Sequence, residues 1–298
     1  MLRIEYSTMC FNQYNYREKI TSARDFVHKQ GFEFGIQLHN SIDRELFEKV
    51  MEFRDELSIS VHSPIFAKHF LNLASTDLQT IKESFDDCTR YLIDLGTDIL
   101  FFHGFFMTDK PIVHDMKNYR RTIRDAIGDA YSLNNSFVMD PGIFDTEVFL
   151  RYKELFKNNL QKVTAMYRDF SVALENDFPL IGGGLQRPSE IHQLIDNLWF
   201  DLGHFWCASL VHGFDFQQES ARILDEKSIV GYHLNHNLSG RDTPKDKIKD
   251  SHTHFYLESE MNLKPIVRRI FEKNSGVMVL EILDGDVHDL EVLFDWIS

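Results

Sequence analysis

The chain has 298 residues, 43% of them hydrophobic and 26% charged, the composition of a globular protein without an apolar run long enough to cross a bilayer. A formal charge of −14 opposes non-specific attraction to a polyanion, because such binding rests on lysine and arginine neutralising phosphates. Cys10, Cys88 and Cys207 are scattered and odd in number, which excludes a disulfide framework and a thiolate zinc site. Histidines and carboxylates must carry any metal.

The N-terminus opens on a strand-like run and lacks the basic segment, apolar core and cleavage site of a signal peptide, so a cytoplasmic location is expected. From there short β-rich runs alternate with longer segments of helical period, the pattern of repeated βα units. Eight runs are expected as strands: Leu2–Met9, Phe32–His39, Leu57–His62, Asp98–His103, Phe170–Glu175, Leu198–Asp201, Ile229–Leu234 and Gly276–Leu283. They suit a single α/β domain over residues 1–298, a closed (β/α)8 TIM barrel. Between strands three and four, Leu78, Ile81, Phe85, Tyr91 and Leu92 make an apolar stripe on a helix expected over Ser75–Leu95, and a terminal helix is expected after Asp284.

One connection is too long for a single helix. About seventy residues separate His103 from Glu175, which predicts an insertion over about residues 107–150 between strands four and five. It carries a basic helical segment with Lys117, Arg120, Arg121 and Arg124, then a polar stretch around Asn134, Asn135, Asp140, Pro141 and Gly142. The charge run reads as a solvated helix face and the polar stretch as a loop; a substrate-covering lid is the functional alternative.

Ionisable residues fall where catalytic groups of such barrels gather. In SVHSP, FFHGF, VALEN, WFDLGH, GYHLN and VLEIL an apolar stretch ends on His62, His103, Glu175, Asp201, His233 and Glu281 in turn, at or near the C-terminal end of a predicted strand. One such histidine is ordinarily a hydrogen-bonded core residue and one such carboxylate a helix cap, but six strand ends together point to a metal site. Two local pairs add ligands: Asp201 with His204, and Asp250 with His252. Imidazole and carboxylate without thiolate suits zinc, manganese or iron(II).

Several residues are expected to do less. His39, His236 and His254 read as hydrogen-bonding neighbours of the ligands, with His254 the alternative to His252; Gly182–Gly184 reads as a flexible turn rather than a phosphate loop, because no Lys-Ser or Lys-Thr follows. Ile65 and Phe66 read as cover for the site, Arg187 and Arg241 as exposed arginines, and Trp199, Trp206 and Trp296 as packing residues.

The order Glu175, Asp201, His233, Glu281 on strands five to eight resembles the endonuclease IV and xylose-isomerase-like TIM barrels. Sugar isomerases and epimerases of that superfamily hold one metal with these four residues. Endonuclease IV also uses positions matched here by His62, His103, His204, Asp250 and His252. The resemblance therefore implies three divalent ions: one on His62 and His103, one on Asp201, His233 and Glu281, one on His204, Asp250 and His252, with Glu175 bridging the first two. Six positive charges against the carboxylates of Glu175, Asp201, Asp250 and Glu281 leave an excess of two, which attracts phosphate. One ion with Glu175, Asp201 and Glu281 carries minus one, better suited to a neutral sugar.

The reading is accordingly a metal-dependent phosphoester hydrolase with metal-activated hydroxide as nucleophile, acting on abasic DNA or a smaller phosphorylated substrate, with Glu175, Glu281 and His204 in catalytic roles. The first strand, IEYSTMCFNQ, lacks the Gly-x-His-x-Ser opening associated with the DNA repair enzymes. The alternative is a sugar or sugar-phosphate isomerase or epimerase using one ion at Glu175, Asp201, His233 and Glu281.

Overall fold

The computed structural model describes residues 2–298. Eight parallel strands close into a barrel in chain order: β1 (Arg3–Ser7), β2 (Glu33–Leu38), β3 (Ser58–Ser63), β4 (Ile99–Phe102), β5 (Ser171–Glu175), β6 (Asn197–Asp201), β7 (Ser228–Leu234) and β8 (Val277–Leu280). Around them lie α1 (Tyr16–Lys29), α2 (Arg44–Val50), α3 (Leu78–Leu95), α4 (Tyr119–Ile127), α5 (Glu147–Met166), α6 (Pro188–Leu194), α7 (Leu202–His212), α8 (Phe216–Glu226), α9 (Lys264–Lys273) and α10 (Val287–Ile297). The (β/α)8 expectation holds; β1, β2, β4, β5 and β8 are shorter than the apolar runs suggested, β3 is shifted by one residue, and β6 and β7 each begin one residue earlier. The ladder ends before the run does where the chain turns to feed a loop: Thr8–Cys10 is already a 3-10 turn, and His103 and Glu281 stand one residue beyond β4 and β8.

Helix limits follow their caps. The α3 stripe is as expected, but the helix starts at Leu78 because Asp77 accepts the backbone N–H of Thr80, and it stops at Gly96, whose left-handed φ of 69° suits glycine. α10 begins behind a capping box of Asp286 and Asp289. In the long β4–α5 connection, Thr146 caps α5, so the last four residues of the expected insertion belong to that helix.

Two apolar layers position the site. The main core lies between the outer face of the strands and the helices, with Phe85, Phe102, Phe149, Phe156 and Phe200 among its largest members. Inside the barrel, Phe101, Ala173, Trp199, Val277 and Val279 form a separate plug. The rings of Phe101 and Trp199 stack with centroids 3.6 Å apart. Gly231 makes room for them, since a Cβ there would stand 2.5 Å from the Trp199 ring. On β1, in register with the plug residue Val279, Glu5 is fully buried and is satisfied by Arg3 at 2.7 Å and Ser60 at 2.5 Å.

The insertion has its own anchorage. Phe70, Phe106, Ile112, Ile123, Ala126 and Ile181 form a satellite core that ties α4 to the loops after β3, β4 and β5. Gly182–Gly184 is buried inside this region, and a turn is formed at Ile181–Gly182, where Gly182 takes a left-handed φ of 74°. A Cβ on Gly184 would meet Phe105 at 2.4 Å, and Phe105 is itself fixed between Phe149 and Phe156 of α5. Gly184→Ala is therefore expected to destabilise the fold by about 1–3 kcal/mol through overpacking, read as a lower denaturation midpoint at unchanged denaturant slope; an unaltered midpoint would show that Phe105 yields freely.

Candidate metal centre

Alternation along a strand sends every second side chain toward the barrel axis. Counting upward from the plug residues Phe101, Ala173, Trp199 and Val279, the next inward positions are His103, Glu175, Asp201 and Glu281, with His62 and His233 on their own strands. One layer of the barrel is thus ionisable where branched apolar residues would normally sit. The structure brings all nine sequence-predicted ligands together, with His39, in groups whose donor atoms lie within 4.8 Å of one another: His62, His103 and Glu175; Glu175, Asp201 and His233; and His39, His62 and Glu281 share members, while His204, Asp250 and His252 form a separate group.

Glu175 joins the first two groups through different oxygens. Its Oε2 lies 2.6 Å from His62 Nε2 and 3.3 Å from His103 Nε2, while its Oε1 lies 2.7 Å from His233 Nδ1. His233 Nδ1 also faces Asp201 Oδ2 at 3.5 Å and Glu281 Oε2 at 3.6 Å. In the separate group Asp250 Oδ2 stands 3.0 Å from His204 Nε2 and 2.9 Å from His252 Nε2.

The donor set fits divalent ions on two observations. Buried oxygens Asp201 Oδ2, Asp250 Oδ2 and Glu281 Oε1 have no hydrogen-bond partner among the described residues; the imidazoles beside Asp250 approach off the line of a hydrogen bond. Leaving such groups unmatched costs about 1–3 kcal/mol or more each, a cost that coordination removes. Moreover, four histidines have their second nitrogen tied to an acceptor that is not a ligand atom: His103 Nδ1 to Asp177 at 3.2 Å, His204 Nδ1 to the Asn176 carbonyl at 3.1 Å, His233 Nε2 to Gln37 at 2.8 Å, and His252 Nδ1 to the Glu281 backbone carbonyl at 2.9 Å. An N–H fixed outward leaves a lone pair pointing inward, the arrangement of a metal-ligating imidazole.

The acceptors Gln37, Asn176 and Asp177 were not anticipated. Asp177 and Asn176 directly follow Glu175, and Gln37 sits two residues before His39 on an inward phase, so a polar residue at an interior strand position was the available signal. His39 is closer to the cluster than expected: its Nε2 lies 3.5 Å from Glu281 Oε1 and its ring stacks on His62.

Other candidates are placed elsewhere. His254 donates to Asp289 at the start of α10, 2.8 Å away, and His236 faces the Leu257 carbonyl; neither joins the nine. Arg187 is spent on Glu190 and lies over the Phe144 ring, and Arg241 lies beside Glu260 in an outer groove. Trp199 floors the site, Trp206 donates to the Ser239 carbonyl, and Trp296 packs on Phe255. Ile65 is buried, and Phe66 packs against Phe47 and Tyr91 as cover. All three cysteines are free and buried.

Without ions, protons compensate the carboxylates. Burial disfavours charge on Glu175, yet His103, His62 and His233 together hold it well below the usual carboxylate range. Burial likewise opposes the imidazolium form of His204 and His233, but the facing carboxylates raise both well above an ordinary histidine. His252, against Asp250 and Glu281, is pushed up to about 10 despite its burial. His62 and His39 go the other way, kept neutral by burial.

No family model and no curated protein matches the sequence. Solved structures do match across the whole chain. A D-tagatose 3-epimerase-like protein superposes with a TM-score of 0.60 at 17% identity, covering 99% of this chain and 96% of its own. The 3-keto-D-glucoside 4-epimerase YcjR from E. coli gives 0.54 at 10% identity, covering 100% and 99%. The IOLI protein with a bound zinc atom gives 0.52 at 13% identity, covering 99% and 98%. This chain shares the (β/α)8 barrel fold of these structures. At these identities the barrels share a fold; two of the three are named as epimerases or epimerase-like and none as a hydrolase. Among the described residues, no helix of this barrel is long and apolar enough to cross a membrane.

The raised histidines set a pH dependence of opposite sign in the two forms. Stability from an imidazolium whose folded pKa is raised is complete below its unfolded value of about 6.5 and is lost as pH rises through the folded value, about 10 for His252. Chelated protein should therefore melt progressively lower across that window. Ion uptake, which needs neutral imidazoles, should release protons at pH 7 and strengthen as pH rises. Calorimetry of zinc binding in buffers of differing ionisation enthalpy measures the release; heats independent of the buffer would contradict the assignment.

Proposed function

We propose that the chain is a metal-dependent hydrolase of phosphate esters, with ions held by His62, His103 and Glu175, by Glu175, Asp201, His233 and Glu281, and by His204, Asp250 and His252. The observation that carries this reading is the third group. Proton transfer on a sugar has no use for a separate triad of His204, Asp250 and His252, whereas displacement at phosphorus gains from positive charge on both attacking and leaving oxygens. When bound, divalent ions supply that charge stabilisation and a nucleophilic water at neutral pH.

The chain's own contribution is positional. Glu175 holds the first two groups at a fixed separation, since its two oxygens are each committed to imidazoles on different strands. Trp199 and Phe101 close the floor and keep water from entering below. The outward hydrogen bonds of His103, His204, His233 and His252 fix their tautomers before substrate arrives, so little reorganisation is left for the reaction.

A second reading is favoured by the names of the fold's other members. Two of the structures above are named for epimerases of sugars or glycosides, and Glu175, Asp201, His233 and Glu281 alone would serve a one-ion epimerase or isomerase in which Glu175 and Glu281 move the proton. The two readings differ in ion number and in their need for the third group.

Metal analysis of protein purified without chelator, then reconstituted, is expected to exceed one zinc, manganese or iron per chain; saturation at one ion favours the epimerase. Glu175→Gln should lower metal content and melting temperature together, because a neutral amide cannot replace a carboxylate between two cations. Unchanged metal and melting would remove Glu175 from the site.

Asp250→Ala and His252→Ala should each depress turnover on phosphoesters by about 100-fold or more, the scale of losing one source of transition-state charge stabilisation, and should retain the remaining ions. Assays on abasic-site DNA, simple phosphodiesters and a set of ketoses decide between the readings. Ketose interconversion that survives both substitutions, with no ester cut, establishes the epimerase.

A further inference from the structure

A cavity of about 320 Å³ lies over the cluster, at the lower end of small-molecule pocket sizes, about 300–1,000 Å³. Its floor is polar: His62, His103, Glu175, His204, Asp250, His252 and Glu281 reach it, while Asp201 and His233 are sealed beneath. Its walls are apolar, made by Phe70, Phe106, Phe178 and Leu180 together with Met116 and Ile123 of the insertion. Because Phe70, Phe106 and Ile123 also belong to the buried satellite core, this roof is packed in place.

The insertion also supplies one cation to the cavity. Of the four basic residues in the segment around α4, Arg120 alone lines it. Arg121 pairs with Asp125 and Arg124 with Asp129, but no carboxylate among the described residues forms an ion pair with Arg120. Its guanidinium is placed over the Phe137 ring, 5.2 Å from the centroid, and its Nε donates to Tyr119 Oη at 3.3 Å. In a chain of charge −14 an unpaired guanidinium at the mouth of an apolar cavity is a site for a negative group.

We infer that the substrate is a small two-ended ester: a phosphoryl group on the cluster, an apolar ring against the phenylalanine walls, and a carboxylate or similar anion at Arg120. The inference rests on the hydrolase reading and narrows it. An aliphatic polyol could use the polar floor but would leave the apolar walls unmatched. A duplex would have to displace the satellite core that holds the roof down.

The test uses binding probes, so that it does not depend on turnover. Methylphosphonate, benzylphosphonate and 4-carboxybenzylphosphonate are titrated by calorimetry into metal-loaded protein. Each added feature is expected to tighten binding about tenfold, the ring through apolar burial and the carboxylate through a charge-assisted pair. In Arg120→Gln the affinity ratio of the two benzyl probes should fall from about ten to about one, whereas Arg121→Gln, on the solvated side of the same helix, should keep it. Circular dichroism of both variants confirms that α4 is intact. Equal affinity for methyl- and benzylphosphonate, or a carboxylate preference that survives Arg120→Gln, overturns the inference. Esterase activity is scored separately on 4-carboxyphenyl phosphate: probe preferences as expected without cleavage mean that the pocket is right and hydrolysis wrong, and cleavage without the preferences means the reverse.

Discussion

Everything at the mouth of this barrel depends on keeping the Glu175 carboxylate charged in a place with no water. An isolated carboxylate moved from water to a protein interior costs several kcal/mol even after relaxation, so the fold can hold it only by surrounding it with cationic or coordinating partners. His62, His103 and His233 come from three different strands to do so. The barrel's closure is what allows this, because only a ring of strands converges side chains on one axis from every direction.

The same requirement explains why the site is layered. Directly beneath the ionisable ring lies the Phe101–Trp199 stack, and in register with the plug residue Val279 stands a second buried acid, Glu5, compensated locally by Arg3 and Ser60. Burial raises the Glu5 carboxyl above its ordinary value in spite of Arg3, whereas Glu175 is held far below. Two glutamates in one barrel interior thus take opposite directions, and the difference is the number of imidazoles each one faces.

Much of this was legible in the chain. An apolar run ending on an ionisable residue marks a barrel strand and its catalytic end together, which is why His62, His103, Glu175, Asp201, His233 and Glu281 could be placed from sequence. Asp250 and His252 follow no strand; their local pairing marked them as possible ligands, and only the family resemblance gave them a place in a third group. Gln37, Asn176 and Asp177 were not legible because an amide or carboxylate that orients an imidazole leaves no spacing rule; its partner is 74 residues away for Asp177 and 196 for Gln37. The roof was legible only in part. A run of arginines reads as solvent-facing, and Arg120 and Arg121 are both exposed, but the run does not show that Arg120 also lines the cavity.

Asp201 does two jobs with its two oxygens. Oδ1 accepts the backbone N–H of His204 at 2.6 Å and so caps α7, while Oδ2 faces His233 in the cluster. The spacing Asp-x-x-His is therefore the distance from a helix cap to its third residue, and the turn that satisfies the cap also swings the His204 ring toward Asp250. Two ligand groups that share no ligand are geared together by one turn of backbone. Neither can be shifted along its axis without unwinding the start of the helix that sets the other.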